Sequence, residues 1–262
     1  MVNKQNSDRI ENAASALYEA FLEGKRIPNI SKLYPGISLD EAYEIQKKYL
    51  EKRLTSDSIF GFKAGLCKEE SQKKLSCSEP LSGVLYASGN FEGPDIPLSS
   101  SGKMVIETEI ALIPGSDISR ELESEEELRD IIEKVAPVIE FPDRNFEDTE
   151  NFTAADMAAS SVIAYGSYSG TPVAMKDIDI NNIEVILYKN GEKITSGNGT
   201  STWKNNQWKC ALWLVNSVIK RGYTVKKGSF LFTGAISDVT PASKGSFRAD
   251  YGSFGVMDFN II

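Results

Sequence analysis

Three glutamates on apolar, strand-like segments are the residues whose types and spacing could do chemistry. Glu107 and Glu109 stand two residues apart in a β-branched run (104–113), so in a strand both side chains point to one face. Glu140 lies near the end of a second apolar run (135–142). Carboxylates this close need a cation, a proton or open water, and Mg²⁺ prefers oxygen ligands. The pattern predicts a metal site, with a solvated acidic face as the alternative.

The complete absence of histidine narrows the possible chemistry. Ser-His-Asp hydrolysis, Cys-His proteolysis, histidine-ligated zinc and imidazole relays are all excluded within a single chain. A reaction must therefore use carboxylates, Lys, Tyr, Cys, backbone amides or a metal ion.

Composition indicates a globular protein that does not bind nucleic acid. Among the 262 residues, 41% are hydrophobic and 25% are charged, which is ordinary for a globular chain. The net charge is −8, and none of the 29 basic residues forms a long run. Since phosphate binding relies on clustered Lys and Arg, we expect no nucleic-acid partner.

The cysteines and the N-terminal residues predict a cytoplasmic location. Cys67, Cys77 and Cys210 form an odd set without a C-x-x-C pair, which suits free thiols in a reducing compartment. The first residues (1–9) are polar and lack the apolar stretch of a signal peptide. The apolar runs are also too short to span a bilayer, so we expect no membrane partner.

The N-terminal quarter of the chain predicts helices followed by a strand. Apolar residues recur at helical spacing over 7–22 and 39–54, and the second helix begins with Ser38 and Glu41 at the positions of a capping box. The segment 59–66 then reads as a strand in which Lys63 lies between two glycines. Glycine within a strand often marks close approach by another backbone or a ligand.

The rest of the chain is richer in strand signals. We predict a helix over 125–135 with Ser124 as its N-cap, a short helix over 153–161, a hairpin turn at 189–192 and a helix over 208–220. Helices come first and strands dominate afterwards, without a regular βαβ alternation. This order favours an α+β fold.

Six short motifs, taken together, resemble the fumarylacetoacetate hydrolase superfamily. In chain order they are Gly61-Phe62-Lys63-Ala64-Gly65, Pro80-Leu81-Ser82-Gly83-Val84-Leu85, Ile106-Glu107-Thr108-Glu109-Ile110-Ala111, Pro137-Val138-Ile139-Glu140, Asn190-Gly191-Glu192 through Ser196-Gly197-Asn198-Gly199, and Phe232-Thr233-Gly234-Ala235. Within the superfamily, the chain is most similar to the branch of 2-keto-4-pentenoate hydratase and 4-oxalocrotonate decarboxylase. The resemblance spans nearly the whole chain.

The resemblance implies a fold and a domain organisation. It predicts one catalytic domain (1–262) with an α+β fold built on a rolled mixed β-sheet. A helical N-terminal segment (1–56) would precede a β-rich metal-binding body (57–262). Enzymes of this branch are commonly homo-oligomers, so the resemblance also predicts self-association.

The resemblance further implies a Mg²⁺ or Mn²⁺ site and a substrate class. The metal ligands would be the carboxylates of Glu107, Glu109 and Glu140. The substrates of this branch are unsaturated 2-oxo acids from the cleavage of aromatic rings. Such acids offer a carboxylate and a carbonyl oxygen side by side, which suits chelation by a divalent cation.

Two further segments would lie beside the substrate. Lys63 would pair with the negative substrate, or transfer a proton if desolvation lowers its pKa, and a surface lysine on an exposed strand is the alternative. Thr233 and Gly234 would line the pocket with a hydroxyl and backbone amides. A turn that closes a strand is the alternative for this pair.

Three departures from the family pattern bear on the reaction. Leu81 stands where the hydratases carry an acidic residue and the decarboxylases an apolar one, so this position favours decarboxylation. Asp156 maps ambiguously onto the family's Asp-Asn-Ala-Ser element as a substrate-binding residue. Lys204-Asn205-Asn206-Gln207 replaces a Gly-His-Pro element.

The sequence therefore predicts a metal-dependent lyase of unsaturated 2-oxo acids, with decarboxylation ahead of hydration. A non-catalytic member that binds a metabolite or accompanies an active subunit is the main alternative. A C–C hydrolase or keto–enol isomerase on the same fold is another, although hydrolysis in the superfamily usually employs a histidine.

Overall fold

The computed structural model describes residues 4–176 and 178–262, so the polar N-terminal segment considered above lies partly outside the described residues. The helices of the described part are α1 (Lys4–Leu22), α2 (Ile30–Leu33), α3 (Leu39–Arg53), α4 (Glu69–Lys74), α5 (Glu125–Ile131), α6 (Ala154–Ala159) and α7 (Gln207–Lys220). The strands are β1 (Ile59–Gly65), β2 (Leu81–Tyr86), β3 (Asp95–Ile96), β4 (Val105–Pro114), β5 (Ile132–Phe141), β6 (Gly166–Ser169), β7 (Val173–Ala174), β8 (Glu184–Lys189), β9 (Glu192–Asn198), β10 (Phe230–Phe232), β11 (Thr240–Pro241), β12 (Gly245–Asp250) and β13 (Val256–Ile261).

Two β-sheets form the body of the protein. The larger has eight strands, in the order β2-β1-β10-β4-β5-β6, with β11 on β4 and β7 on β5. Its β1–β10 pair is parallel and its other pairs are antiparallel, so the sheet is mixed. The smaller sheet has five strands, in the order β3-β13-β12-β8-β9. The predicted α+β class is confirmed.

The N-terminal helices form as their capping signals predict. Helix α3 starts at Ser38, whose side chain accepts from the Glu41 amide while the Glu41 carboxylate accepts from the Ser38 amide. Helix α3 packs against α1 on one side and α6 on the other. The division into a helical segment (1–56) and a β-rich body (57–262) stays a prediction.

The helix predicted over 125–135 is too long. Helix α5 starts after its N-cap Ser124 as expected, but it ends at Ile131, and Ile132 opens β5. The reason is tertiary, because β5 pairs with most of β4, from Pro114 opposite Ile132 to Glu107 opposite Glu140. This ladder outweighs the helical preference of residues 132–135, although its register shifts between Ile113 and Pro114.

The predicted hairpin between β8 and β9 is confirmed. Asn190 and Gly191 adopt φ values of 51° and 86°, as a two-residue hairpin turn of the I′ type requires. In the described part of the chain, helices long and apolar enough to cross a bilayer are absent.

Candidate metal centre

The pairing of β4 with β5 brings the three predicted glutamates together. Glu107 lies directly opposite Glu140, and Glu109 is two residues along the same strand from Glu107. All three side chains therefore share one face of the sheet. One carboxylate oxygen from each lies within 4.8 Å of the others, so a single ion could contact all three.

Lys63 reaches the same face from the neighbouring part of the sheet. Its partner on β10 is Phe232, which in turn lies opposite Ala111, two residues beyond Glu109. The ammonium forms an ion pair with Glu140, and both side chains are at most 2% exposed. The sequence-based alternative of a surface lysine is therefore wrong.

Two carboxylate oxygens at this centre lack partners. Among the residues that the structure describes, no hydrogen-bond donor contacts Glu109 Oε1 or Glu140 Oε2, although both atoms are buried. A buried carboxylate oxygen without a partner is costly. Three acids face the Lys63 ammonium, and the two unpaired oxygens are available to bind a cation. The donor set consists of carboxylate oxygens, so the residues fit Mg²⁺ or a similar hard ion.

The protonation of the centre also indicates excess negative charge. Burial, together with the charges of Glu140 and Glu107, raises the pKa of Glu109 well above its ordinary value. Burial raises the pKa of Glu140 to about 7, although Lys63 opposes the shift. Burial disfavours the Lys63 ammonium, but the carboxylates outweigh it and raise the Lys63 pKa. Lys63 is therefore protonated at neutral pH.

A turn with left-handed backbone angles follows α6 and contacts the Lys63 ammonium. Ser161, Val162 and Ile163 have φ values of 55°, 55° and 52°, which is rare for consecutive non-glycine residues and strained for β-branched ones. The carbonyl of Val162 accepts from Lys63 Nζ at 3.3 Å. Such strain costs about 1–3 kcal/mol per residue and concentrates at functional sites.

Glycines on the sheet make room for this turn, as the predicted close approach requires. A Cβ on Gly83 would lie 2.5 Å from the Ser161 carbonyl oxygen, and one on Gly65 would overlap the Val162 side chain. Lys63 stands two residues before Gly65 and opposite Gly83. Gly65 and Gly83 thus accommodate the turn that contacts the ammonium, whereas a Cβ on Gly61 would overlap the Phe230 carbonyl oxygen.

Of the predicted pair Thr233 and Gly234, only Gly234 contacts the centre, through its backbone amide. The Gly234 amide donates to Glu109 Oε2 at 3.0 Å. The Thr233 hydroxyl is fully buried and contacts Ile110 O at 3.1 Å and Gln207 Oε1. The amide of Gly234 is therefore in place at the centre, whereas the hydroxyl of Thr233 is used within the protein.

Leu81 and an apolar cluster continue the face that carries the charges. Leu81 is fully buried and pairs with Gly65, so its side chain points to the same face as Lys63. Farther along this face lies a cluster made of Leu85, Ala111, Val138 and Phe232, against which Phe60, Ala164 and Phe230 pack. The charged centre thus borders an apolar wall on one side.

The comparison with known families agrees with the motifs. The model described as fumarylacetoacetate (FAA) hydrolase C-terminal matches residues 73–254, which is more than half of the chain. The chain belongs to the fumarylacetoacetate hydrolase family. The resemblance found in the sequence is confirmed, and the matched region contains Glu107, Glu109 and Glu140.

Curated relatives lie in the predicted branch of the family. A 2-keto-4-pentenoate hydratase of Paraburkholderia xenovorans (strain LB400) is 28% identical over 240 residues, which cover 90% of this chain and 88% of that protein. A 4-oxalocrotonate decarboxylase of Pseudomonas sp. (strain CF600) is 26% identical over 249 residues, which cover 91% and 90%.

A solved structure shares the fold over nearly the whole chain. The 4-oxalocrotonate decarboxylase from Pseudomonas putida G7, complexed with magnesium and adipate, has a TM-score of 0.90 and 20% identity and covers 98% of each chain. The predicted family fold, a rolled mixed sheet with N-terminal helices, is therefore confirmed.

The carboxylate of Asp156 makes contacts that stabilise the fold. It forms a capping box with Thr153 at the start of α6, and its carboxylate also accepts from the Ser31 amide at 2.8 Å and the Ser31 hydroxyl at 2.6 Å. These contacts occupy both oxygens and explain the acid as a helix cap. Its role in binding substrate stays a prediction that these contacts do not support.

Sequence reasoning missed three contributors to the centre. The left-handed turn at 161–163 contains no glycine, so its conformation leaves no signal in the sequence. Tyr251 places its hydroxyl 2.8 Å from Val138 O and 3.2 Å from Glu109 O, across β4 and β5. Gln207 entered the sequence analysis only as part of the segment that replaces the Gly-His-Pro element. That replacement was the one signal that could have marked Gln207 as a contributor.

The raised pKa of Glu140 predicts how pH affects stability and metal binding. The folded metal-free protein keeps a proton on Glu140 between its ordinary pKa, near 4.5, and about 7, so this contribution to stability is lost as the pH rises through that range. A metal needs ionised ligands. We therefore expect Mg²⁺ to raise the melting temperature more at about pH 8 than at about pH 5.5.

Thermal unfolding with and without Mg²⁺ at the two pH values measures this difference. Glu140→Gln, which cannot titrate, serves as the control and should lose most of the Mg²⁺ effect at both. An equal rise of the wild-type melting temperature at the two pH values would contradict the prediction.

Proposed function

We propose that the protein is a divalent-metal-dependent lyase that acts on an unsaturated 2-oxo acid. The observation that carries the proposal is the buried cluster of Glu107, Glu109 and Glu140 with its two unpartnered oxygens. Two observations on relatives support the proposal. The curated relatives include hydratases and decarboxylases of this branch, and one solved structure with the same fold is complexed with magnesium. A cation held by the three carboxylates would supply Lewis acidity at the 2-oxo group.

The chain's own residues would bind the substrate and move a proton. The ammonium of Lys63 supplies the positive charge on this face, and its raised pKa keeps it protonated, so it can pair with the negative substrate or donate a proton but cannot act as the base. The wall of Leu85, Ala111, Val138 and Phe232 suits an unsaturated carbon chain. Glu107 is the least buried of the three acids, so we infer that the substrate enters from its side.

Leu81 favours decarboxylation over hydration. A hydratase must activate water, and a leucine on the face of Lys63 offers no group for that task. Loss of CO₂ needs an electron sink rather than a base at this position. Hydration is the second candidate, because relatives at 28–29% identity include several 2-keto-4-pentenoate hydratases.

An assay with two substrates tests the proposal. The protein is incubated with Mg²⁺ and either 4-oxalocrotonate or 2-keto-4-pentenoate, while ultraviolet absorbance and released CO₂ are followed. Metal-dependent release of CO₂ from 4-oxalocrotonate is the expected result. Loss of absorbance without CO₂ would indicate hydration instead. No metal-dependent change with either acid would support the non-catalytic alternative.

We also propose a location and an assembly state. The three cysteines are free thiols in the structure, as expected for a cytoplasmic protein. The family resemblance favours a homo-oligomer that works in aromatic catabolism. Size-exclusion chromatography with light scattering would measure the number of subunits.

A further inference from the structure

The orientation of Glu109 depends on a short segment that follows β10. The Gly234 amide donates to Glu109 Oε2, while Glu109 Oε1 has no partner among the described residues. This single hydrogen bond decides which oxygen is left for an ion. Metal-binding carboxylates are usually oriented by such outer contacts.

The sheet holds the backbone of this segment weakly at Thr233. Strand β10 ends at Phe232, and the next amide, that of Thr233, lies 3.4 Å from Ile110 O, which is long for a hydrogen bond. Gly234 has φ +91°, and a Cβ there would lie 2.5 Å from Cys67 Sγ. The next backbone hydrogen bond from this segment to β4 joins the Ile236 amide to Thr108 O at 2.9 Å, so side chains from elsewhere supply the further contacts at Thr233.

Gln207 and Thr202 provide that support. The Thr202 hydroxyl donates to the Thr233 carbonyl at 2.6 Å. Gln207, the first residue of α7, accepts from the Thr233 hydroxyl through Oε1 and donates from Nε2 to Gly199 O at 2.8 Å. The carbonyl of Gly199 can only accept, so the amide orientation is fixed, with its oxygen toward Thr233.

Both ends of a fully buried side chain are thus committed. Gln207 has no exposed surface, and its own backbone amide donates to the Asn181 side chain at 2.8 Å. The side chain connects the end of β9 to the residue that precedes Gly234. It lies in the loop where this chain departs from the Gly-His-Pro element of the family.

We propose that Gln207 is a positioning residue that orients Glu109 for metal binding, by holding Thr233 so that the adjacent Gly234 amide meets the carboxylate. The inference rests on the proposed metal-binding function of Glu109. It also assigns the Thr233 hydroxyl to this support rather than to the substrate.

The first test compares Mg²⁺ affinities by calorimetry. Gln207→Met keeps the side-chain volume but removes both hydrogen bonds, and we expect it to weaken Mg²⁺ binding about 10- to 100-fold. Gln46→Met is the matched control, because Gln46 is also a buried helical glutamine that donates to two carbonyls, those of Ser82 and Ala158. This control should lose stability but keep its Mg²⁺ affinity.

Variants of Thr233 test whether Gln207 acts through that residue. Thr233→Val removes the hydroxyl and should weaken Mg²⁺ binding as Gln207→Met does, whereas Thr233→Ser should retain the wild-type affinity. The double variant Gln207→Met/Thr233→Val should bind Mg²⁺ no more weakly than the single variant with the lower affinity, because both substitutions remove the same hydrogen bond between Thr233 and Gln207. The Thr233 pair keeps the proposal testable if Gln207→Met does not fold.

A second readout needs no metal. In the metal-free protein, we expect amide hydrogen exchange over residues 230–236 to be faster in Gln207→Met than in wild type, and unchanged in Gln46→Met. Wild-type exchange together with wild-type Mg²⁺ affinity in Gln207→Met would overturn the proposal. If the wild type binds no Mg²⁺, the proposed function is overturned. Faster exchange in Gln207→Met would then still show that Gln207 supports the segment that contains Gly234.

Discussion

Glu109→Gln is expected to abolish Mg²⁺ binding while making the metal-free protein more stable. The variant removes one of three carboxylates that lie within 4.8 Å of each other. Loss of a direct ligand should exceed the roughly 10- to 100-fold that outer contacts contribute to metal affinity. Calorimetric titration with Mg²⁺ measures the affinity, and the lyase assay should show a matching loss of activity.

The gain in stability follows from the charge of the metal-free centre. Burial and the neighbouring acids raise the pKa of Glu109, which means that its ionised form is disfavoured in the folded protein. A neutral glutamine of the same shape avoids this repulsion and can still accept from the Gly234 amide. Each kcal/mol gained should raise the melting temperature by about 2–4 °C.

The matched control is Glu184→Gln on β8, where the glutamate is exposed. It should leave both the melting temperature and the Mg²⁺ affinity unchanged. Retained Mg²⁺ binding in Glu109→Gln would remove Glu109 from the metal site. A fall in the melting temperature of the metal-free variant would mean that the ionised carboxylate stabilises the fold.

The fold and the core of the centre could be predicted because their signals are local. Glu107 and Glu109 are fixed relative to each other by the two-residue period of a strand, and Glu140 sits on a strand with its own apolar pattern. The capping box at Ser38 and the turn at Asn190 are equally local. Each of these features depends on residues close together in the sequence.

The rest of the centre could not be predicted because it depends on contacts between distant segments. Gln207 gains its partners only when α7 lies across the ends of β9 and β10. The turn at 161–163 adopts left-handed backbone angles that its own residues disfavour, so the surrounding packing must impose them. Asp156 forms a local capping box with Thr153, which the sequence also carried, and its role in binding substrate stays a prediction.

Substitutions of Lys63 should distinguish the contribution of its positive charge from a contribution by proton transfer. Lys63 pairs with Glu140 inside the protein, and removal of one member of a buried ion pair typically costs about 3–5 kcal/mol. We therefore expect Lys63→Met to lower the free energy of unfolding of the metal-free protein by about that amount at pH 8, where Glu140 is ionised. Lys63→Arg keeps the positive charge and should retain most of the stability.

Activity should respond differently from stability. A guanidinium remains protonated at all accessible pH values, so it cannot transfer a proton. If Lys63 donates a proton during the reaction, both Lys63→Arg and Lys63→Met should lower kcat by about 10²- to 10⁴-fold. Chemical denaturation and steady-state kinetics in saturating Mg²⁺ measure the two effects separately. Lys193→Met, at an exposed position of β9, is the control and should change neither.

The two variants together decide what the ammonium contributes. A Lys63→Arg enzyme with kcat within a few-fold of wild type would mean that positive charge alone suffices at this position. Equal losses of kcat in both variants, with stability lost only in Lys63→Met, would assign the proton transfer to Lys63. The Val162 carbonyl and Glu140 both accept from this ammonium, so its nitrogen is held in one position on the face that carries the three acids.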